Sequence, residues 1–277
     1  MRPPGGESLR LRGGELPYPI AHPAAIIPLR GILGRYGVVS ALVIGCMAPD
    51  IRLLAPDIDR TYSHSLYGVL WLCLPISFAA YLVYHLILKR PLFDLLPHAM
   101  AARSGHLLRG PLLPCASWTA VLFSLAVGAL THLGWDAFTH EDGLVVASVP
   151  LLRGVLGEIY GYRLSVFQML QHASTLLGTL FVAWWCANWI RRAPACPVVR
   201  EGRLSPGNRM LWLMAFVGAA LWGALASLLP RIESATSIEA LRLLARSAAS
   251  GGAMAFCAVL LAYAIGWWAL RSPAVTR

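Results

Sequence analysis

The sequence predicts an all-α fold: a polytopic membrane helical bundle of about five spanning helices, preceded by an N-terminal re-entrant or half-buried helical hairpin. Two observations carry this. Of the 277 residues 57% are hydrophobic and only 13% charged, with a mean hydropathy of +0.62; soluble domains run nearer 45–50% apolar and about 25% charged. The second is a set of runs long enough to cross a hydrocarbon core: Leu66 to Leu88, Leu113 to Leu133, Leu164 to Ile190, Met210 to Leu229 and Ala248 to Leu270. None holds a Lys, Arg, Asp or Glu, but the first holds His85 and the third His172. An ionisable side chain at membrane depth is a functional hypothesis by default.

In chain order, Met1 to Pro19 has no continuous apolar stretch, so no cleavable signal peptide is expected there. His22 stands just ahead of Pro23, a residue suited to a first helical turn. Ala24 to Met47 is long enough to span but is interrupted by Arg30, Gly31, Gly34, Arg35, Tyr36 and Gly37, which predicts two short helices meeting at a corner near Gly34 to Gly37. Such a hairpin returns Asp50 to the side on which His22 starts. Two Ala-Pro-Asp units follow, ending in Asp50 and Asp57, and each proline presents the next aspartate from a turn. Ser63, His64 and Ser65 then open the first span, with either serine a candidate helix cap.

The end of the second run is the densest stretch chemically. His132, Asp136 and His140 are spaced i, i+4, i+8 and would leave one face of a continuing helix. Two imidazoles and a carboxylate so aligned can ligate a metal. His172, inside the third span, joins them as an outer candidate.

Charge gives an orientation. The loops after the first and third spans are basic, carrying Lys89, Arg90, Arg103 and Arg109, then Arg191, Arg192, Arg200, Arg203 and Arg209. Trp135 to Arg163 is instead rich in acids. The positive-inside rule puts the basic loops in the cytoplasm and the His and Asp loops outside it, with Arg2, Arg10 and Arg12 arguing the other way. The net charge of +10 is thus a matter of topology, and without an aromatic-basic patch no nucleic acid partner is expected. Six scattered cysteines with no C-x-x-C pair read as small apolar residues. No H-E-x-x-H, G-x-S-x-G, Walker or G-x-G-x-x-G pattern is present.

The order His22-Pro-Ala-Ala, Ala48-Pro-Asp50, Ser63-His64-Ser65, His132-x-x-x-Asp136 and Gln171-His172-x-Ser174 resembles the bacterial membrane-protein family described as domain of unknown function 4184. It also resembles the membrane-bound metal-dependent hydrolases and, more remotely, is similar to the zinc-dependent phospholipase C and single-strand nuclease superfamily. The resemblance implies His22, Asp50, His64, His132 and Asp136 as metal ligands, with His140 and His172 in an outer set. Where the phospholipases carry a Glu after their last His this chain has Leu176, so one or two metals are implied rather than three. The hydrolases' Pro-Asp-Ile-Asp is matched more literally by Pro56 to Asp59, which keeps Asp57 and Asp59 open beside Asp50 as the active carboxylate.

These residues suit a divalent-metal-dependent hydrolase: zinc first, manganese or iron with more carboxylates, and Asp50 as general base. A position at the membrane face points to membrane lipid as partner and to a lipid-linked or other phosphoester as substrate. The expected setting is a bacterial inner membrane with the site on the extracytoplasmic side. Residues 1–192 form the metal-site part and 193–277 a pair of packing spans in the same bundle, whose few polar residues speak against a transport path. A non-catalytic metal-binding scaffold or a transporter is the competing reading.

Overall fold

A computed structural model of the chain describes residues 19–108, 117–159, 162–195, 204–234 and 238–270. The stretch read as free of a signal peptide, Arg2, Arg10, Arg12, Arg109, Cys115, Cys196, Arg200 and Arg203 lie outside the described residues. Among the described residues the protein is a helical bundle in which five helices are long and apolar enough to cross a membrane: Leu66–Asp94, Trp118–Ser148, Val166–Arg192, Pro206–Ile232 and Ala240–Leu270. The last starts earlier than the hydropathy of Ala248 to Leu270 implied, because Arg242 and Arg246 lower the hydropathy of its first turns without interrupting the helix. Many large apolar side chains face outward along these helices, among them Leu176, Leu177, Leu180 and Trp184 of the third span, as a lipid-facing surface requires.

The N-terminal hairpin is present, with helix α1 over Pro23–Leu33 and helix α2 over Val39–Met47. Its corner lies at Gly34–Tyr36, where Gly34 has φ of +51°, a left-handed conformation that favours glycine. Ser124 of the second span closes the corner: its hydroxyl donates to Tyr36 O at 2.8 Å and accepts from Val38 N at 2.9 Å. Both bonds tie the backbone of the turn to the second span.

Helix α2 packs on the second span with no side chain between the two backbones at Gly45 and Gly128. A Cβ on Gly45 would lie 2.2 Å from Leu125 O, and one on Gly128 would lie 2.3 Å from Leu42 O. Small residues allow such an approach between apolar helices. Along the second span the buried positions include Ser124, Gly128, His132 and Asp136, one turn apart. The packing stripe therefore runs straight into the polar pair at its end.

The first span contains π-helical turns at Val69–Cys73 and Tyr84–Leu88. His85 is buried beside Tyr81 with its Nε2 2.9 Å from the Ser40 hydroxyl, so this intramembrane histidine fastens α2 to the first span. Between the second and third spans, a stretch read as loop contains a two-stranded antiparallel hairpin, β1 Val155–Ile159 with β2 Tyr162–Ser165. The last two spans cross closely at Gly223 and Gly251. They dock on the far end of the first span, where Trp267 Nε1 donates to Asp94 Oδ2 at 2.6 Å and Tyr263 OH to Pro91 O at 3.0 Å.

Candidate metal centre

Chain direction alone brings the site segments to one end of the bundle. Helix α1 begins just after His22, α2 ends just before Asp50, the first span begins just after His64, the long helix of the second span ends at Thr139 and the third span begins at Val166. At that end Asp136, 5% exposed, is the hub. Its Oδ1 lies 3.2 Å from His22 Nε2 and 3.3 Å from His140 Nδ1. Its Oδ2 lies 3.2 Å from His64 Nε2, 3.4 Å from His132 Nε2 and 2.8 Å from an Arg60 guanidinium nitrogen. Asp50, also buried, stands 3.7 Å from His64 Nε2 and 3.9 Å from His132 Nε2.

Neighbouring backbone sets which imidazole nitrogens are free to ligate. His132 Nδ1 lies 2.7 Å from Cys46 O, and since a carbonyl only accepts, Nδ1 carries the proton and Nε2 presents a lone pair. His64 Nδ1 lies 3.2 Å from Arg60 O and 3.0 Å from the Ser63 hydroxyl, which can donate or accept, so either nitrogen of that ring can carry its proton. The two Nε2 atoms face each other across 3.2 Å, beside a carboxylate oxygen that only accepts. Two ring nitrogens and a carboxylate oxygen at that spacing need a proton or a cation between them. His22 adds a further sign: its ring stacks on that of His132 at 3.9 Å, its Nε2 is on Asp136, and its buried Nδ1 meets no hydrogen-bonding partner among the described residues. A carboxylate behind an imidazole is the usual support of a metal-ligating histidine. The donor set therefore fits a divalent cation.

Two triads have ligand atoms within 4.8 Å of one another: His22, Asp50 and His132, and His64, His132 and Asp136. They share His132, whose Nδ1 is already taken by Cys46 O, so they compete for one Nε2 lone pair and describe alternatives for one cation position on that ring. A pocket of about 260 Å³, measured into open solvent, opens on the first of them and is lined by His22, Asp50, Trp135, Asp136, Thr139, His140, Gln171 and Thr175. Cys46 ends beside the cluster but is a packing group, buried with Ile26 and Leu42.

Among the sequence candidates, His22, Asp50, His64, His132, Asp136 and His140 come together. The helix stops at Thr139, so His140 is its extended C-cap rather than one more turn, yet the ring still reaches Asp136. His172 does not join them: it is exposed, because one residue along a helix turns the side chain by about 100°, and it is Gln171 that turns inward, its Nε2 3.3 Å from His140 Nε2. Asp57 and Asp59 are exposed, and Asp59 caps the short helix Arg60–Ser63 by accepting from Thr61 N at 3.2 Å. Ser65 is the cap of the first span, accepting from Gly68 N.

Sequence reasoning passed over Arg60. Its spacing was a usable signal, since Arg60 and His64 are four apart and share a helical face, in a loop where charge counting expects few cations.

The family model described as Domain of unknown function (DUF4184) matches residues 16–265. No curated protein and no solved structure matches the chain.

Proposed function

We propose, for a chain that belongs to the DUF4184 family and so inherits no assigned activity from it, that the buried cluster is the centre of a membrane-embedded, divalent-metal-dependent hydrolase. The observation that carries this is the convergence of two imidazole Nε2 atoms, 3.2 Å apart, on the buried Asp136 carboxylate. Imidazole-rich donors with one or two carboxylates favour zinc, with manganese or iron as alternatives. A divalent cation, if held by these residues, would supply Lewis acidity and lower the pKa of water towards neutral pH.

The chain's own groups divide the remaining work. Cys46 O and Arg60 O fix the rings of His132 and His64, and Asp136 holds His22 and His140 in place. Asp50 is the general base, because it is the buried carboxylate of its loop and lines the pocket. Lining by Trp135, Gln171 and Thr175 from spans that face lipid favours a phosphoester or lipid-linked substrate taken at the membrane face. Loop charge favours an inner-membrane protein with this end outside the cytoplasm, and with residues 1–192 as the site-bearing part and 193–277 as packing spans.

A metal-binding scaffold without turnover is the second reading, favoured by Arg60, which already neutralises one oxygen of Asp136. Metal analysis of the purified protein separates the readings. Wild type should carry metal, Asp136→Asn should lose most of it, and Asp50→Asn should keep part of it while turnover of phosphoester and lipid-ester panels falls roughly 10²–10⁴-fold. Wild-type metal content in both variants would leave the cluster an ion-paired structural core; metal without turnover on any panel would leave the scaffold.

A further inference from the structure

Arg60 has no place in the chemistry above, yet it is the strongest cation in contact with the site. Its guanidinium is forked between two carboxylates of different kinds. One nitrogen donates to Asp136 Oδ2 at 2.8 Å, and that side chain is 7% exposed; the other donates to Asp142 Oδ1 at 2.7 Å, and that side chain is 59% exposed. Arg60 itself, 19% exposed, stands at the boundary between cluster and solvent. Asp142 belongs to the turn just after the helix that ends at Thr139, and among the described residues nothing but Arg60 holds its carboxylate.

The two arms are not equivalent. The contact with Asp136 is shielded, whereas a contact with a carboxylate more than half exposed is screened and readily exchanged. A planar guanidinium presents paired N–H groups matched to two oxygens of one acid, and phosphate offers the same pair as carboxylate with more charge. We propose that Arg60 is an oxyanion-binding residue of the site: its inner arm stays on Asp136, and its outer arm exchanges Asp142 for the phosphoryl oxygens of a phosphate ester. Asp142 is then an internal competitor that holds the guanidinium in place until the anion arrives. This deepens the hydrolase reading and rests on it for the identity of the site, but it concerns a group that needs no metal to bind an anion.

The two variants have opposite signs, which a merely structural ion pair would not produce. Binding of inorganic phosphate to the full-length protein in phosphatidylcholine nanodiscs, with zinc added or with chelator, provides the readout. Asp142→Ala removes the competitor and should tighten phosphate binding by up to about fivefold, the weight of one exposed ion pair. Arg60→Gln should weaken it at least about tenfold, and Arg60→Lys, which keeps charge but loses the fork, should fall between. Nanodiscs doped with phosphatidate distinguish the source: competition against inorganic phosphate that is lost in Arg60→Gln marks a lipid phosphate as ligand, and its absence marks a soluble ester. Unchanged or weakened binding in Asp142→Ala overturns the proposal, whether or not Arg60→Gln folds. Phosphate binding that follows these signs in protein that takes up no zinc keeps Arg60 in this role and overturns the metal reading instead.

Discussion

His132 shows how one side chain serves packing and chemistry together. It is 1% exposed, stacks on His22, and joins the second span to the end of α2 through its bond to Cys46 O. Removing the ring leaves that carbonyl buried without a donor, a cost of about 1–3 kcal/mol. His132→Ala should therefore lower the melting temperature in detergent and abolish metal binding. In His132→Asn the amide N–H₂ stands near the place of Nδ1 and can donate to Cys46 O, but nothing stands in for Nε2. That variant should melt closer to wild type while remaining free of metal; if both variants melt alike, the Cys46 contact is not what stabilises this crossing. The histidine and the aspartate one turn on were legible in the sequence because a four-residue spacing needs no tertiary information. Arg60 was not, because its weight comes from Asp136 and Asp142, which are 76 and 82 residues away.

At the scale of elements, the decisive contact involves no ligand at all. Gly45 and Gly128 let α2 and the second span touch backbone to backbone, and that contact sets the distance between Asp50, just past the end of α2, and His132. Gly45→Ala would place a methyl group 2.2 Å from Leu125 O, so the helices must part. The expected result is a lower melting temperature and reduced metal content, though every candidate ligand is intact. Gly31→Ala is the control: its added Cβ meets nothing within 4 Å, and an alanine there should hold or raise the melting temperature, since alanine is favoured over glycine inside a helix by about 1 kcal/mol. Equal effects would show that close approach is not the constraint. The hairpin itself was legible, because glycines and arginines inside an apolar run mark a corner. That Ser124 closes it was not, since a serine within a span carries no sign of its partner.

For the molecule as a whole, the candidate centre lies where an even number of helix passes, two and then four, returns the backbone to the end at which His22 starts. Loop charge predicts that this end lies outside the cytoplasm. A membrane-impermeant thiol reagent on intact cells should then label Asp57→Cys, exposed beside the site, and spare His106→Cys, exposed in the basic segment that follows the first span. The reverse pattern would put the site on the cytoplasmic side and leave Arg2, Arg10 and Arg12 in the cytoplasm with it. The last two spans are tied to this architecture from the far end, through Trp267 on Asp94, and the final span also touches the Ala48–Leu53 turn that carries Asp50.

By itself the sequence determined the class of fold, the five spans, the broken N-terminal helix and most of the polar residues at the span ends. Those features follow from local quantities: hydropathy over about twenty residues, glycine and proline at turns, and side chains one helical turn apart. The tertiary structure decided what depends on which surfaces meet. It brought Asp50 into the cluster and left Asp57 and Asp59 in solvent, turned Gln171 inward in place of His172, and set Arg60 on Asp136. It also assigned the proton on His132 to Nδ1, because a backbone carbonyl from another helix lies 2.7 Å away. Direction along a helix changes by about 100° with each residue, and a lone pair is free or taken according to what packs against it, so these outcomes exist only once the helices have docked.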